Sequence, residues 1–238
     1  MIQAVFFDLW NTLFSNKSYS ELRLKQFFHF LQERKILLPF DKFKETYDSK
    51  FHFSEVTFEE IEFRHIYTED RIFRVLENID VKIPQSDINL LIKKFESEML
   101  QDPPLLKIGV KKTLEALAPE YNVGLISNTG VNPGKTISKV LEEYNILQFF
   151  DLTVYSDETG LFKPHPKMFK IPLDKFDCSP KNAIHIGDML ETDIKGAKDY
   201  KMKTIWVNNG NSPKPTVILP DYEIKQIPEV IQIIRDLS

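Results

Sequence analysis

The chain has 238 residues, of which 42% are hydrophobic and 28% charged, with a formal net charge of −4. That size bounds one or two domains with a sizeable core, and the charge balance offers neither a basic excess for nucleic acid nor a charged tail. No apolar run approaches the roughly 20 residues that span a bilayer, no secretory leader is expected from the first residues, and the lone Cys178 excludes an internal disulfide and points to a reducing cytoplasm.

Ile2 to Phe7 is a short, almost wholly apolar run, read as a strand buried on both faces. Asp8 follows where that strand ends. After Thr12 the strand pattern lapses and four helical stretches are expected. Ser20 to Arg34 places Leu24, Phe27, Phe28 and Leu31 on one stripe. Phe40 to Phe51 is a weaker helix. Thr57 to Ile79 opens on Thr57-Phe58-Glu59-Glu60, a capping-box spacing. Ser86 to Gln101 spaces Ile88, Leu91, Ile92, Phe95 and Met99 helically. Amphipathic helices joined by short links make a small bundle, which Pro103-Pro104 closes. Most of the 19 Phe are expected in cores, with a few left to line a substrate pocket.

From Lys107 helix and strand alternate. Helices are expected at Val110–Ala118, Pro133–Glu143, Pro166–Lys175, Glu191–Tyr200 and Pro228–Leu237. Strands are expected at Asn122–Ile126, Leu152–Tyr155, Ala183–Ile186 and Lys203–Val207. Repeated βα units with near-continuous apolar strands predict an α/β fold, a doubly wound parallel sheet. The expected boundaries are an α/β core of residues 1–14 and 105–238 around a helical insertion, 15–104.

Polar groups gather at four strand ends or the loops after them: Asp8, Ser127-Asn128, Lys163-Pro164, and Asp188 with Asp193. In a parallel sheet these ends share one edge, where ligands bind. Asp8 by itself reads equally as nucleophile, metal ligand or helix cap. Together the groups make a coherent site. Asp8 and Asp188 supply hard oxygens for Mg²⁺. Ser127 and the backbone N–H groups beyond it can hold phosphate oxygens. Lys163 can neutralise a phosphate and keep Asp8 ionised. A carboxylate nucleophile forming an aspartyl-phosphate completes the set.

Four motifs in chain order carry a family resemblance: Asp8-Leu9-Trp10-Asn11-Thr12, Ser127-Asn128, Lys163-Pro164, and Gly187-Asp188 through Asp193 followed by Gly196-Ala197. With them the chain resembles the haloacid dehalogenase (HAD) superfamily, with a Rossmann-like core and a four-helix-bundle cap inserted between the first and second motifs. The resemblance implies a hydrolase. It makes Asp8 the nucleophile and gives Mg²⁺ the side chains of Asp8 and Asp188 and the carbonyl of Trp10. Asp193 is then a ligand or the partner of one. Ser127, Asn128 and Lys163, with Trp10 beside them, bind the transferring group.

One position departs from the pattern. Family phosphatases carry a second aspartate two residues after the nucleophile, as general acid; here Trp10 stands there. The dehalogenase branch has an aromatic residue at that place. The fourth motif leans the other way, because three clustered carboxylates call for a cation. Mg²⁺-dependent hydrolysis of a small phosphorylated metabolite is the preferred expectation. The alternatives are halide displacement by Asp8 and a catalytically weak or non-enzymatic binding protein. General-acid help is worth about 10²- to 10⁴-fold, so good leaving groups are expected. A long-lived aspartyl-phosphate is expected too, unless a cap residue (His52, Glu59 or His65) replaces the acid. Each of these also reads as an ordinary surface or bundle residue.

Thr129 to Thr136 imitates a phosphate-binding loop ending Gly134-Lys135-Thr136, but Thr129 stands where the pattern needs glycine. Lys135 is expected to be a solvated helix residue. His165 and His185 lack ligand spacing and read as structural.

Overall fold

A computed structural model describes residues 1–53, 57, 59–210 and 217–238. Strand β1, Ala4–Phe7, is wholly buried. Four helices then follow: α1, Ser20–Glu33; α2, Phe40–Thr46, continued by a π-helical turn at Tyr47–Phe51; α3, Thr68–Asn78; and α4, Gln85–Gln101. Next come α5, Val110–Leu117; β2, Asn122–Ser127; α6, Gly134–Glu143; β3, Leu152–Tyr155; α7, Ser156–Thr159; and α8, Pro166–Lys175. The chain ends with β4, Ala183–Gly187; α9, Lys195–Asp199; β5, Lys203–Val207; β6, Tyr222–Ile224; and α10, Val230–Asp236.

The strands form one parallel sheet in the order β3-β2-β1-β4-β5-β6. Successive side chains of a strand point to opposite faces, and both faces are covered. Val5 and Phe7 join one apolar cluster with Val110, Ile137 and Val230. Ala4 and Phe6 join the other with Met168, Phe169 and Ala197. This two-sided burial is the reason the strand is apolar without alternation.

A third cluster has its buried residues between Leu24 and Phe95, with Val131 from the loop after β2 packed against it. Its aromatic rings pack edge to face, Phe27 against Phe43 at 5.3 Å and against Phe95 at 6.0 Å. Here the phenylalanines serve as core. The two chain segments that join these helices to the sheet lie side by side: Ser15 N–H donates to Leu105 O and Lys107 N–H to Leu13 O, both at 2.8 Å.

The structure differs from the sequence expectation in four places. The third helix starts at Thr68, not Thr57. Thr57 and Glu60 do exchange capping-box bonds, Thr57 N–H to the Glu60 carboxylate at 2.7 Å and Glu60 N–H to Thr57 Oγ1 at 3.3 Å; Phe58 lies outside the described residues. Positive φ at Glu62 and Phe63 ends that turn. Backbone bonds to the core segment then take over, His65 N–H to Gly160 O and Phe162 N–H to Phe63 O, both at 2.9 Å. Tertiary pairing has displaced helix. Secondly, the expected helix Phe40–Phe51 divides into α2 and its π turn. Thirdly, the expected Glu191–Tyr200 helix divides into a π-helical turn, Leu190–Ile194, and the short α9. Lastly, β6 and α7 carry too few residues for a periodic signal.

Candidate active site

The parallel register brings the ends of β1, β2 and β4 level, with Phe7 beside both Leu125 and Ile186. Asp8, next in the chain, donates its N–H to Ile186 O at 2.8 Å and is 5% exposed. Lys163, 1% exposed, reaches under it from the loop before α8. Its Nζ donates to Asp8 Oδ1 and to Asp193 Oδ1, each at 2.6 Å, and to Ile126 O at 2.7 Å. An ammonium has three protons, and all three are engaged.

Asp193 is held from several sides. Its Oδ1 also accepts from His185 Nε2 at 2.9 Å, and its Oδ2 accepts from Met189 N–H at 3.1 Å. The π-helical turn carries Asp193 back over the end of β4. A Cβ on Gly187 would stand 2.3 Å from Asp193 Cγ, so only glycine fits there. Asp188 is half-buried, and its backbone carbonyl accepts from Trp206 Nε1 at 2.8 Å. Carboxylate oxygens of Asp8, Asp188 and Asp193 lie within 4.8 Å of one another.

Ser127 and Asn128 end β2 at the same edge. Asn128 locks onto Lys163 through both amide atoms: Lys163 N–H donates to Asn128 Oδ1 at 2.8 Å, and Asn128 Nδ2 donates to Lys163 O at 3.2 Å. Trp10 donates its ring N–H to Asn128 O at 3.1 Å. Three buried oxygens along this edge have no hydrogen-bond partner among the described residues: Asp8 Oδ2, Thr12 Oγ1 and Ser127 Oγ. Buried polar atoms are ordinarily paired, so a cradle of unpaired oxygens suits an incoming polar group. The acidic trio with a free Asp8 oxygen fits a hard divalent cation.

The charges are strongly coupled. Burial pushes the Asp8 carboxyl up to about 7, against the pull of Lys163 and with added repulsion from Asp193 and Asp188. Burial and Asp193 push Asp188 up to about 6. At Asp193 burial acts the same way, yet Lys163 and His185 outweigh it and hold this carboxyl at about 2. Lys163 stays charged despite burial because two carboxylates face it. Burial lowers His185, so the neutral ring donates Nε2–H to Asp193. A cation placed among Asp8 and Asp188 relieves the repulsion that raises both.

All the residues expected at the site, Asp8, Trp10, Ser127, Asn128, Lys163, Asp188 and Asp193, lie along one edge of the sheet. Three participants were not among the expected site residues. His185 reads from sequence as a core histidine, and only the turn that returns Asp193 gives it a carboxylate. Lys107 donates to the Asn11 carbonyl and, at 2.7 Å, to Asn209 Oδ1. Asn11 takes φ 55°, a conformation asparagine tolerates, and its side chain pulls the Asp188 carboxyl down against the effect of burial. The three acid candidates among the inserted helices separate: Glu59 is exposed, His65 is buried against Ser156 Oγ at 3.0 Å, and His52 lines the cleft beside Trp10 and Asn128. The phosphate-loop imitation resolves as an ordinary helix start, with Lys135 exposed and paired to Glu96 at 3.0 Å.

Comparison with known proteins adds a lineage. A family model described as haloacid dehalogenase-like hydrolase matches residues 38–207, a stretch that begins after Asp8. The chain is 37% identical over 131 residues to the glyceraldehyde 3-phosphate phosphatase of Pyrococcus furiosus, the match covering 53% of each chain. It spans about half the length, or less, of the first curated relatives it matches. A crystal structure of a HAD phosphatase from Thermococcus onnurineus is similar with a TM-score of 0.70 at 23% identity, covering 98% of this chain and 97% of the other. A 2-haloacid dehalogenase from Pseudomonas syringae pv. Tomato is similar with a TM-score of 0.74 at 22% identity over the whole of both chains. At such identities the two structures speak to fold alone.

Proposed function

The chain belongs to the haloacid dehalogenase-like hydrolases, and from that membership we propose that it is a Mg²⁺-dependent phosphatase of a small phosphorylated metabolite. The observation that carries this reading is Lys163 Nζ at 2.6 Å from both Asp8 and Asp193, with Asp188 in the same carboxylate group. Such a set holds one carboxylate ionised and leaves an oxygen, Asp8 Oδ2, free for chemistry.

In this mechanism the Asp8 carboxylate attacks phosphorus in line. A P–O bond forms to Asp8 while the ester P–O bond breaks, and the bridging oxygen leaves with the electron pair. Water then attacks the aspartyl-phosphate, releasing phosphate and restoring Asp8. Ser127 Oγ and the amide after it hold the phosphoryl oxygens, and Lys163, its three protons already engaged, offsets their charge from beside Asp8. Mg²⁺, when bound by Asp8, Asp188 and the carbonyl of Trp10, supplies positive charge to the transferring group. Both oxygens of Asp193 already accept hydrogen bonds, which suits it to orienting Lys163 rather than taking a metal bond. Residues 15–104 act as the cap, joined to the core by the paired segments near Phe14 and Leu106. Trp10, its ring N–H bonded to Asn128, supplies no acid. Aryl and acyl phosphates are therefore the better substrates, and His52 is the cap residue best sited to assist. The lone Cys178 supports a reducing cytoplasm as the compartment.

The test is phosphate release from p-nitrophenyl phosphate with and without Mg²⁺, in the wild type and in Asp8→Asn. Release should require Mg²⁺ and vanish in the variant. A second reading, halide displacement by Asp8, is favoured by the aromatic residue at position 10. Chloride release from 2-chloropropionate without metal, and no phosphate release, would establish it instead.

A further inference from the structure

Two cavities open where the inserted helices face the sheet edge, of about 400 Å³ and about 220 Å³. Both are walled by His52, Arg71, Asn128 and Gly130, and the larger also by Trp10. They therefore reach the edge that carries Asp8. Among the described residues no acidic side chain lines either cavity, but three cations line the larger one: Lys17, Arg23 and Arg71.

Two of these cations are neutralised. Lys17 pairs with Asp102, and Arg23 pairs with Glu98 at 2.9 Å. Arg71 has no carboxylate partner among the described residues. Its Nη1 donates to Phe51 O at 2.9 Å and its Nε to Ile66 O at 3.3 Å, and the Phe53 ring lies 5.7 Å from Cζ. Burial pulls its pKa down to about 10, which leaves it protonated at neutral pH. Removing a cation from water without a counter-charge is costly. Backbone carbonyls hold the guanidinium in place but do not cancel its charge.

We propose that Arg71 is the anion-binding residue of a second subsite, so that the substrate is a phosphate ester bearing a further acidic group, a carboxylate or a second phosphate. The inference rests on the phosphatase reading for the first group and on Arg71 alone for the second. Arg71 is held on the first turn of α3, and the carbonyls of Phe51 and Ile66 fix its fork. A fork so held suits the planar or tetrahedral oxygens of an acid. The apolar walls of the smaller cavity, Phe53, Ile61, Ile66 and Phe162, strengthen that attraction by excluding water.

The test uses calorimetry with three probes at constant free Mg²⁺: methylphosphonate, phosphonoacetate and methylenediphosphonate. A charge-assisted bond contributes enough for about tenfold tighter binding. The wild type should bind at least one of the two-acid probes about tenfold more tightly than methylphosphonate, and which one identifies the acid. In Arg71→Gln that ratio should fall to about one, and in Arg71→Lys it should fall part of the way. Equal binding of all three probes by the wild type overturns the proposal. So does a ratio unchanged in Arg71→Gln, or in Arg71→Lys should the former not fold. A uniform loss for all three probes assigns Arg71 a purely structural role and also overturns it. The phosphatase reading fails separately, if p-nitrophenyl phosphate is not turned over while phosphonoacetate still binds through Arg71.

Discussion

Lys163 is the cation on which the buried acids depend. Replacing it with methionine leaves Asp8 and Asp193 facing each other without compensation, a change that costs about 3–5 kcal/mol. Urea denaturation at pH 7 should record that loss. In Lys163→Met, stability should rise as the pH falls, because carboxyls raised above their unfolded pKa bind protons preferentially in the folded state. His65 gives the opposite sign. Burial lowers its pKa from 6.5 to about 4, so between those values the unfolded chain takes the proton first. Its contribution is complete above pH 6.5 and is lost as the pH falls towards 4. The raised Asp8 and Asp188 act against it in the same window, so the comparison must be made with His65→Gln. The wild type should lose more stability than that variant between pH 7 and pH 5 in matched urea titrations.

Close approaches between elements position the site. The turn after β4 folds so tightly that Asp193 occupies the space a side chain on Gly187 would need. Gly187→Ala must push the carboxylate away from Lys163 and His185. Aryl phosphatase activity should fall by at least about tenfold, the effect of an ångström-scale displacement at a reacting centre, while the far-ultraviolet circular dichroism stays that of the wild type. Between α1 and α4 the buried pair is Arg23 and Glu98, and Arg23 also donates to Asn132 Oδ1, in the loop after β2, at 2.7 Å. Arg23→Met strands Glu98 and should cost about 3 kcal/mol or more, whereas Arg23→Met with Glu98→Leu should recover most of it. Equal losses in the single and double variants would show that the Arg23 bonds to Phe95 O and Asn132, rather than the charge pair, hold these elements together.

At the scale of the whole molecule, the sheet brings together carboxylates from opposite ends of the chain, and their repulsion is a cost of folding that a cation removes. A ligand that binds only the folded state stabilises it by about 2.7 kcal/mol at a hundred times its dissociation constant. Mg²⁺ should therefore raise the melting temperature of the wild type, and chelation should reverse the rise. Asp188→Asn should melt at nearly the same temperature with and without Mg²⁺. A rise of equal size in that variant would place the cation elsewhere.

Much of this was legible in the residues alone. The α/β alternation, the six-residue apolar run before Asp8 and the four polar strand ends follow from side-chain periodicity and the shared edge of a parallel sheet, both local in the chain. The family resemblance followed from the order of those motifs. What the sequence did not determine came from contacts between distant segments. The stretch around Phe63 carries a good capping signal, yet it pairs with the chain near Gly160 because its backbone bonds were better satisfied there. His185 looked like a core histidine until a π-helical turn brought Asp193 back to it. Arg71 belongs to no motif and carries no signal in the sequence. Only the tertiary structure shows it facing a cleft with no acid among the described residues, because charge compensation depends on which side chains meet in space, and no periodicity in the chain records that.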